Sequence, residues 1–173
     1  MSAFSVKIHG AGDLKRAFEA LPARVQKQVA RKALRPGATL VSRELKKSVP
    51  TIDDDEARSL LGPGRFTSEG AGNKLRRHLS KGIQRRNKTY TNTGTVMVAI
   101  GPRYDYRDDA TGATAGYLAE QLELGDDENR ARPFLRPTAQ RLAAPALASM
   151  IGRAREVVNE EAAKLARSAG GRR

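Results

Sequence analysis

The sequence predicts an α+β fold in which a small antiparallel sheet carries long helices packed on one side. Two short stretches, residues 4–8 and 95–100, alternate apolar and polar residues as half-buried strands do. Two longer stretches, residues 25–45 and 142–165, repeat apolar residues every three or four positions, which indicates helices. Strand and helix signals therefore alternate along one chain of 173 residues, in which no internal repeat or second domain is visible.

The N-terminal part is expected to form one strand and two helices. The strand at residues 4–8 ends at a glycine pair, and Asp13 then occupies the N-cap position of a short helix. Pro22 is expected to be the first residue of a longer helix that ends at Pro50. Pro36 lies inside the apolar stripe of this helix and predicts a kink or a one-turn break.

The middle of the chain is expected to hold a loop insert followed by a hairpin. Residues 51–73 contain an acidic run and two glycine-rich breaks, which indicate an irregular excursion. The apolar spacing over residues 75–83 predicts a short helix that leads into a strand. The second strand, residues 95–100, follows the turn sequence at residues 92–94.

The C-terminal part is expected to be helical. Residues 117–124 have helical spacing, and Gly125 suits the position after the helix end. The long terminal helix contains Pro145, which predicts a second interruption. We therefore expect one domain over residues 1–168, with a frayed basic tail at residues 169–173.

The composition excludes several classes of protein. The chain has no Cys, which removes disulfide frameworks, zinc ribbons and cysteine nucleophiles. The uncharged apolar run at residues 142–152 is shorter than the roughly 20 residues that span a bilayer, and no secretory signal is visible. Lys and Arg outnumber Asp and Glu by 32 to 19, which gives a formal net charge of +13. High charge with an apolar share of only 39% favours a protein that becomes fully ordered on meeting its partners.

No catalytic or metal-binding constellation is visible, so we expect neither an enzyme nor a cofactor. His9 and His78 lack partners at the spacing of a triad or a metal site, and both are expected at the surface or at its boundary. The acidic run at residues 53–56 lacks the alternating oxygen ligands of a calcium loop and fits the start of a short helix instead. The glycines at positions 10 and 12 match neither phosphate-loop template.

The strongest physical feature is a stretch of seven cations with no acid between them, which we call the basic block. It consists of Lys74, Arg76, Arg77, Lys81, Arg85, Arg86 and Lys88. Such a field attracts phosphate or an acidic protein face. A solvated hairpin flank is the simpler alternative, and only Tyr90 lies nearby to stack on a nucleic-acid base.

A stretch of opposite charge follows later in the chain, and we call it the acidic block. It consists of Glu120, Glu123, Asp126, Asp127 and Glu128. A molecule with one basic and one acidic surface can pair head to tail with its own copies, and such contacts can close into a ring. The two blocks therefore predict an oligomer interface.

A short proline-flanked segment, which we call the docking segment, precedes the last helix. It consists of Pro133, Phe134, Leu135, Arg136 and Pro137. Two prolines favour an extended path, and the two apolar side chains offer anchors for a neighbour. The alternative is that Phe134 plugs the core at the base of the helix, since Phe is usually buried, while Arg136 faces a neighbour.

Three stretches carry a resemblance to a phage family: residues 21–50, residues 72–102 and residues 117–137. Their order resembles the neck and tail-completion proteins of long-tailed phages, the gene-product-ten family of the HK-ninety-seven type. Two features depart from the family pattern. The insert at residues 51–70 separates two motifs that are usually adjacent, and the segment from Glu123 to Asp126 lacks the usual aromatic residue.

The resemblance implies a structural virion protein of the head–tail connector, located at the neck or tail top and assembled in the host cytoplasm. It implies a ring of identical subunits, six- or twelve-fold, between a portal-side adaptor or stopper protein and the tail terminator or tail tube protein. DNA in the channel is a further expected partner, whereas a membrane is not. The alternative function is a basic nucleic-acid-binding protein that contacts phage DNA.

Overall fold

A computed structural model describes residues 11–62, 69–90, 95–109, 112–127 and 129–170. Over these residues the chain forms six helices and one two-stranded antiparallel sheet, which confirms the α+β class. The predicted first strand, the turn between the two strands of the hairpin and the end of the basic tail lie outside the described residues.

The described elements are α1 (Ala11–Glu19), α2 (Ala23–Ser48), α3 (Asp54–Leu61), α4 (Ala71–Gly82), β1 (Ile83–Thr89), β2 (Val96–Pro102), α5 (Ala115–Leu124) and α6 (Leu135–Gly170). From α1 onward they follow the predicted order, except that α3 lies inside the predicted loop insert. Gly125 follows α5 with a φ of 74°, and its N–H donates to the carbonyl of Gln121, so the expected glycine end of this helix is confirmed.

The predicted one-turn break at Pro36 and the predicted interruption at Pro145 are absent, while the alternative of a kink at Pro36 stays a prediction. Both α2 and α6 continue through their prolines, Pro36 and Pro145. A proline inside a helix costs about 3 kcal/mol, because it removes one hydrogen bond and crowds the preceding turn. In α2 the residues on both sides of Pro36 are held in place, since Val29 and Leu45 are each buried in a core. Core packing therefore overrides the local preference.

The chain divides into two compact units. The first consists of residues 1–38, 87–98 and 144–173, and the second of residues 39–86 and 99–143. The two long helices and the hairpin thus contribute residues to both units. The expectation of one connector domain over residues 1–168 stays a prediction.

The first unit has a small core between α1, the start of α2 and the C-terminal half of α6. Its buried members are Leu21, Val29, Val157 and Val158. Nearby, α2 and α6 approach closely at Gly37, where an added Cβ would lie 2.7 Å from the carbonyl oxygen of Ala146. A partly buried ion pair also joins the two helices, with the Lys32 ammonium 3.0 Å from the Glu161 carboxylate.

The second unit holds the larger core, in which α4 packs against both α3 and α5. Its buried members are Leu45, Val49, Ile52, Ala57, Leu60, Leu61, Ala71, Leu75, Leu79, Ile83, Ala113, Ala115, Leu118, Ala119, Leu122 and Phe134. Several of them come from the insert at residues 51–73, so the expectation of an irregular excursion is wrong for its described part. The insert folds because Asp53 caps α3, whose apolar side chains then enter the core.

We predict that Gly72→Ala strongly destabilises the protein. An added Cβ would lie 2.0 Å from the carbonyl oxygen of Ile52 and 2.7 Å from that of Asp53, and these backbone atoms cannot rotate away. The expected loss in the free energy of unfolding is about 2 kcal/mol or more, as for other overpacked sites. Urea denaturation followed by circular dichroism measures it.

The matched control is Gly152→Ala in α6. Nothing lies within 4 Å of its added Cβ, so the better helix propensity of Ala should stabilise the protein by about 0.5–1 kcal/mol. Equal stability of Gly72→Ala and the wild type would contradict the close approach at Gly72.

Candidate functional site

The basic block occupies one helix and the strand that follows it. Lys74, Arg76, Arg77 and Lys81 lie on α4, Arg85, Arg86 and Lys88 lie on β1, and all seven side chains are exposed. On α4 the spacing of Lys74, Arg77 and Lys81 places them along one outward line. The opposite side of the helix is buried through Leu75 and Leu79. The helix therefore separates a basic surface from the core of the second unit.

One cation of β1 forms an ion pair within the molecule. A guanidinium nitrogen of Arg86 lies 2.5 Å from a carboxylate oxygen of Asp105, and Arg103 also donates to Asp105, from Nε at 2.6 Å. The Arg103 guanidinium, helped by Arg86, holds the pKa of the Asp105 carboxyl well below its usual range. Arg103 also donates to the Gln84 amide oxygen at 2.7 Å, beside a cavity of about 440 Å³. This cluster has two cations for one carboxylate.

The other two cations of β1 have uncharged partners. Arg85 donates to the hydroxyl of Thr39 at 2.7 Å. The ammonium of Lys88 lies 4.8 Å from the ring centroid of Tyr90, within cation–π range. Neither contact neutralises the positive charge. Arg85 and Lys88 therefore each leave a positive charge on the exposed surface of β1.

Glu123 of the acidic block faces inward and caps α6. Its carboxylate accepts hydrogen bonds from the backbone N–H groups of Phe134, Leu135 and Arg136, at 2.8, 2.9 and 3.0 Å. Its side chain is only 7% exposed. Burial raises the pKa of Glu123, but the three N–H donors and the Arg136 charge outweigh burial, and the net pKa lies below its ordinary value. Glu123 is therefore a helix cap and not part of an exposed acidic face.

The remaining acidic residues differ in their surroundings. Glu120 accepts a hydrogen bond from the Tyr104 hydroxyl at 2.8 Å, and Asp126 accepts one from the backbone N–H of Asn129 at 2.6 Å. Asp127 is exposed, while Glu128 lies outside the described residues. The head-to-tail pairing stays a prediction that now depends on the exposed members alone.

The docking segment is not extended throughout. Pro133 precedes the helix, but Leu135, Arg136 and Pro137 belong to the first turn of α6, so the predicted extended path is wrong for them. Pro137 fits there because the first-turn N–H groups of a helix have no partner within the helix to lose. Phe134 is 4% exposed and lies in the core of the second unit, whereas Arg136 is exposed. The docking segment thus contributes one buried side chain, Phe134, and one exposed cation, Arg136.

His78 is buried, so its expected surface or boundary position is wrong. It lies on the inner side of α4, with its ring stacked on Tyr106 at a centroid distance of 4.9 Å. Its Nδ1 lies 3.6 Å from a carboxylate oxygen of Asp108. Burial lowers the pKa of His78, so the imidazole is neutral at pH 7 and packs as an aromatic side chain. His9 lies outside the described residues.

The acidic run at residues 53–56 serves the helices around it. Asp53 accepts from the N–H of Glu56 at 2.8 Å as the N-cap of α3, and Asp54 accepts from the N–H groups of two glycines at the start of α4. Glu56 pairs with Arg132 at 2.5 Å. In the part of the chain that the structure describes, no three His, Asp or Glu residues are grouped to hold a metal ion.

One feature that sequence reasoning missed is an open cavity of about 850 Å³ in the second unit, between the end of α3 and the start of α5. Its walls include the exposed side chains of Tyr104 and Tyr117. The Tyr104 ring lies directly on Gly116, where an added Cβ would be 2.5 Å from it. In the sequence, the only local indication of this cavity is the tyrosine-rich, glycine-containing stretch at residues 104–117.

Comparisons with known proteins identify no relative. No family model, curated protein or solved structure matches the chain. Among the described residues, no helix combines the length and apolar character needed to cross a membrane.

We predict that Glu123→Gln destabilises the protein and weakens its response to acid. The substitution removes the charge that accepts three N–H groups, at an expected loss of about 1–3 kcal/mol in the free energy of unfolding. Because the folded-state pKa is lowered, the wild-type contribution is present above the ordinary value of 4.5 and disappears as the pH falls through the folded value. Denaturation at pH 7 and at stepwise lower pH measures both effects.

Glu120→Gln in the same helix is the matched control. Its amide oxygen can still accept from Tyr104, and its side chain is exposed, so its stability should stay within about 0.5 kcal/mol of the wild type. Identical losses for the two variants would contradict the capping role of Glu123.

Proposed function

We propose that this chain is a structural protein of the phage head–tail connector. It assembles as a ring of identical subunits that joins a portal-side adaptor or stopper protein to the tail terminator or tail tube protein. Its role is that of an adaptor and not of an enzyme. It resides in the virion at the neck, after assembly in the host cytoplasm.

The observation that carries this proposal is that the third resembling stretch forms one physical unit. Glu123 accepts the N–H groups at the start of α6, and the N–H of Arg132 donates to the carbonyl of Leu122 at 2.7 Å. Gly125 makes this return possible, because an added Cβ would lie 2.7 Å from the backbone nitrogen of Ala131. The described residues between 122 and 136 are therefore interdependent, which supports treating the stretch as one motif of the family that it resembles.

The element order also supports the proposal. The resemblance implies a small sheet with packed helices, and the chain folds as a long helix, a short helix leading into a hairpin, and two further helices. The insert that departs from the family pattern forms α3 and completes the core, so this departure does not break the common order.

Exposed apolar side chains on α5 form a surface that a neighbouring subunit of the proposed ring would bury. Tyr117 and Leu124 lie seven residues apart on α5, on the same side of the helix, and are 49% and 56% exposed. Aromatic and apolar side chains of this kind form the centres of protein interfaces, with charges at the rim. The exposed acidic residues near the end of α5 suit such a rim.

Genetic removal of the chain tests this proposal. Early interruption of its gene in the phage that encodes it is expected to yield DNA-filled heads and complete tails that fail to join, because the adaptor between them is missing. Electron microscopy of the lysate and plaque counts measure the result.

A wild-type copy supplied in the host is the control, and it should restore joined, infectious particles. Joined particles at normal yield without any copy of the chain would contradict the connector role. Empty or missing heads would indicate an earlier role, in DNA packaging or head assembly, and would contradict it too.

A further inference from the structure

The outward side of α4 is a continuous strip of positive charge. Lys74, Arg77 and Lys81 follow one line, and Arg76 is also exposed, about 100° further round the helix than Arg77. At a rise of 1.5 Å per residue, the seven steps from Lys74 to Lys81 extend over about 10.5 Å. We call these four residues the α4 cationic strip. Its opposite side is fixed in the core of the second unit, so the charges are mounted on a rigid element.

Most of this charge is not neutralised within the molecule. Arg76, Arg77 and Lys81 have no carboxylate within ion-pair distance among the residues that the structure describes, and Arg76 donates only to the carbonyl of Val49, at 3.3 Å. Residues 70–104 contain no Asp or Glu at all. Cations on other helices do pair with carboxylates, and examples are Arg16, Lys32, Lys47, Arg58 and Arg153.

The strip lacks the features of a protein interface. The large apolar side chains that are exposed in the described residues all lie on other elements: Tyr90, Met97, Tyr104, Tyr117, Leu124, Leu147 and Leu165. Protein interfaces are organised around apolar or aromatic anchors, and charged residues are depleted from their centres. Single-stranded nucleic acid needs aromatic platforms for its bases, and α4 exposes none.

Duplex DNA requires only what the strip provides. Its backbone presents one negative charge per about 1.7 Å of helix axis, and cations that neutralise phosphates release bound counterions. The Arg76 and Arg77 guanidinium groups can each donate two hydrogen bonds to one phosphate, and Lys81 supplies a compact point charge.

We propose that the α4 cationic strip binds the phosphate backbone of duplex DNA without reading its sequence. This inference goes beyond the adaptor role, because for the four cations of α4 it replaces the predicted head-to-tail pairing with a nucleic-acid contact. It depends on the geometry and charge of α4, and it does not require that the chain be a connector.

A titration with purified full-length protein tests the proposal. The probe is a fluorescently labelled 30-bp duplex in two unrelated sequences, and anisotropy is measured from 50 to 200 mM NaCl. We expect equal affinity for both sequences and a steep fall in affinity with salt. In Arg77→Gln/Lys81→Gln, the loss of two phosphate contacts should reduce the slope of log K against log salt by about 1.8.

The matched control is Arg24→Gln/Arg141→Gln, which lowers the net charge equally at two exposed arginines on other helices, α2 and α6. Its slope should equal that of the wild type, and circular dichroism verifies that both double variants are folded. The proposal is overturned if the wild type does not bind the duplex at 50 mM NaCl, or if both double variants lose the same slope. Tighter binding to a poly-glutamate peptide than to the duplex would also overturn it and would indicate an acidic protein partner.

This titration uses neither phage particles nor a ring. If the protein does not bind DNA, the connector role is therefore unaffected. If heads and tails still join without the chain, the connector role is contradicted and the proposed DNA contact is unaffected.

Discussion

The position of α4 between α3 and α5 is the constraint on which the second unit depends. Two glycines allow it, because Gly72 meets the backbone of Ile52 and Gly82 meets Ala115, where an added Cβ would lie 2.1 Å from the Ala115 Cβ. Leu75 and Leu79 then fill the space between the helices. With one side fixed so closely, the other side of α4 can face only outward, and that side carries the cations.

A second constraint ties the end of α5 to the start of α6. The helix α6 begins with backbone N–H groups that have no partner within the helix, and the buried Glu123 carboxylate satisfies three of them. A negative charge at a helix N-terminus is also favoured by the helix dipole. The same arrangement fixes Phe134 in the core and leaves Arg136 outside. One carboxylate therefore fixes both the buried position of Phe134 and the exposed position of Arg136.

Much of the fold follows from sequence periodicity, whereas the roles of single charged residues do not. The helix–strand succession at α4 and β1 and the end of α5 at Gly125 could be predicted, because each rests on local spacing and turn chemistry. The uninterrupted helices through Pro36 and Pro145 could not, since distant packing overrides the proline. Nor could the inward path of Glu123 or the burial of His78, because each depends on partners outside its own helix.

The connector role is tested most directly by quantitative mass spectrometry of purified infectious particles. The measured quantity is the copy number of this chain relative to the portal protein in the same particles. We predict that the chain is present at a low copy number comparable with one portal ring. Its absence from infectious particles would contradict a structural role in the virion.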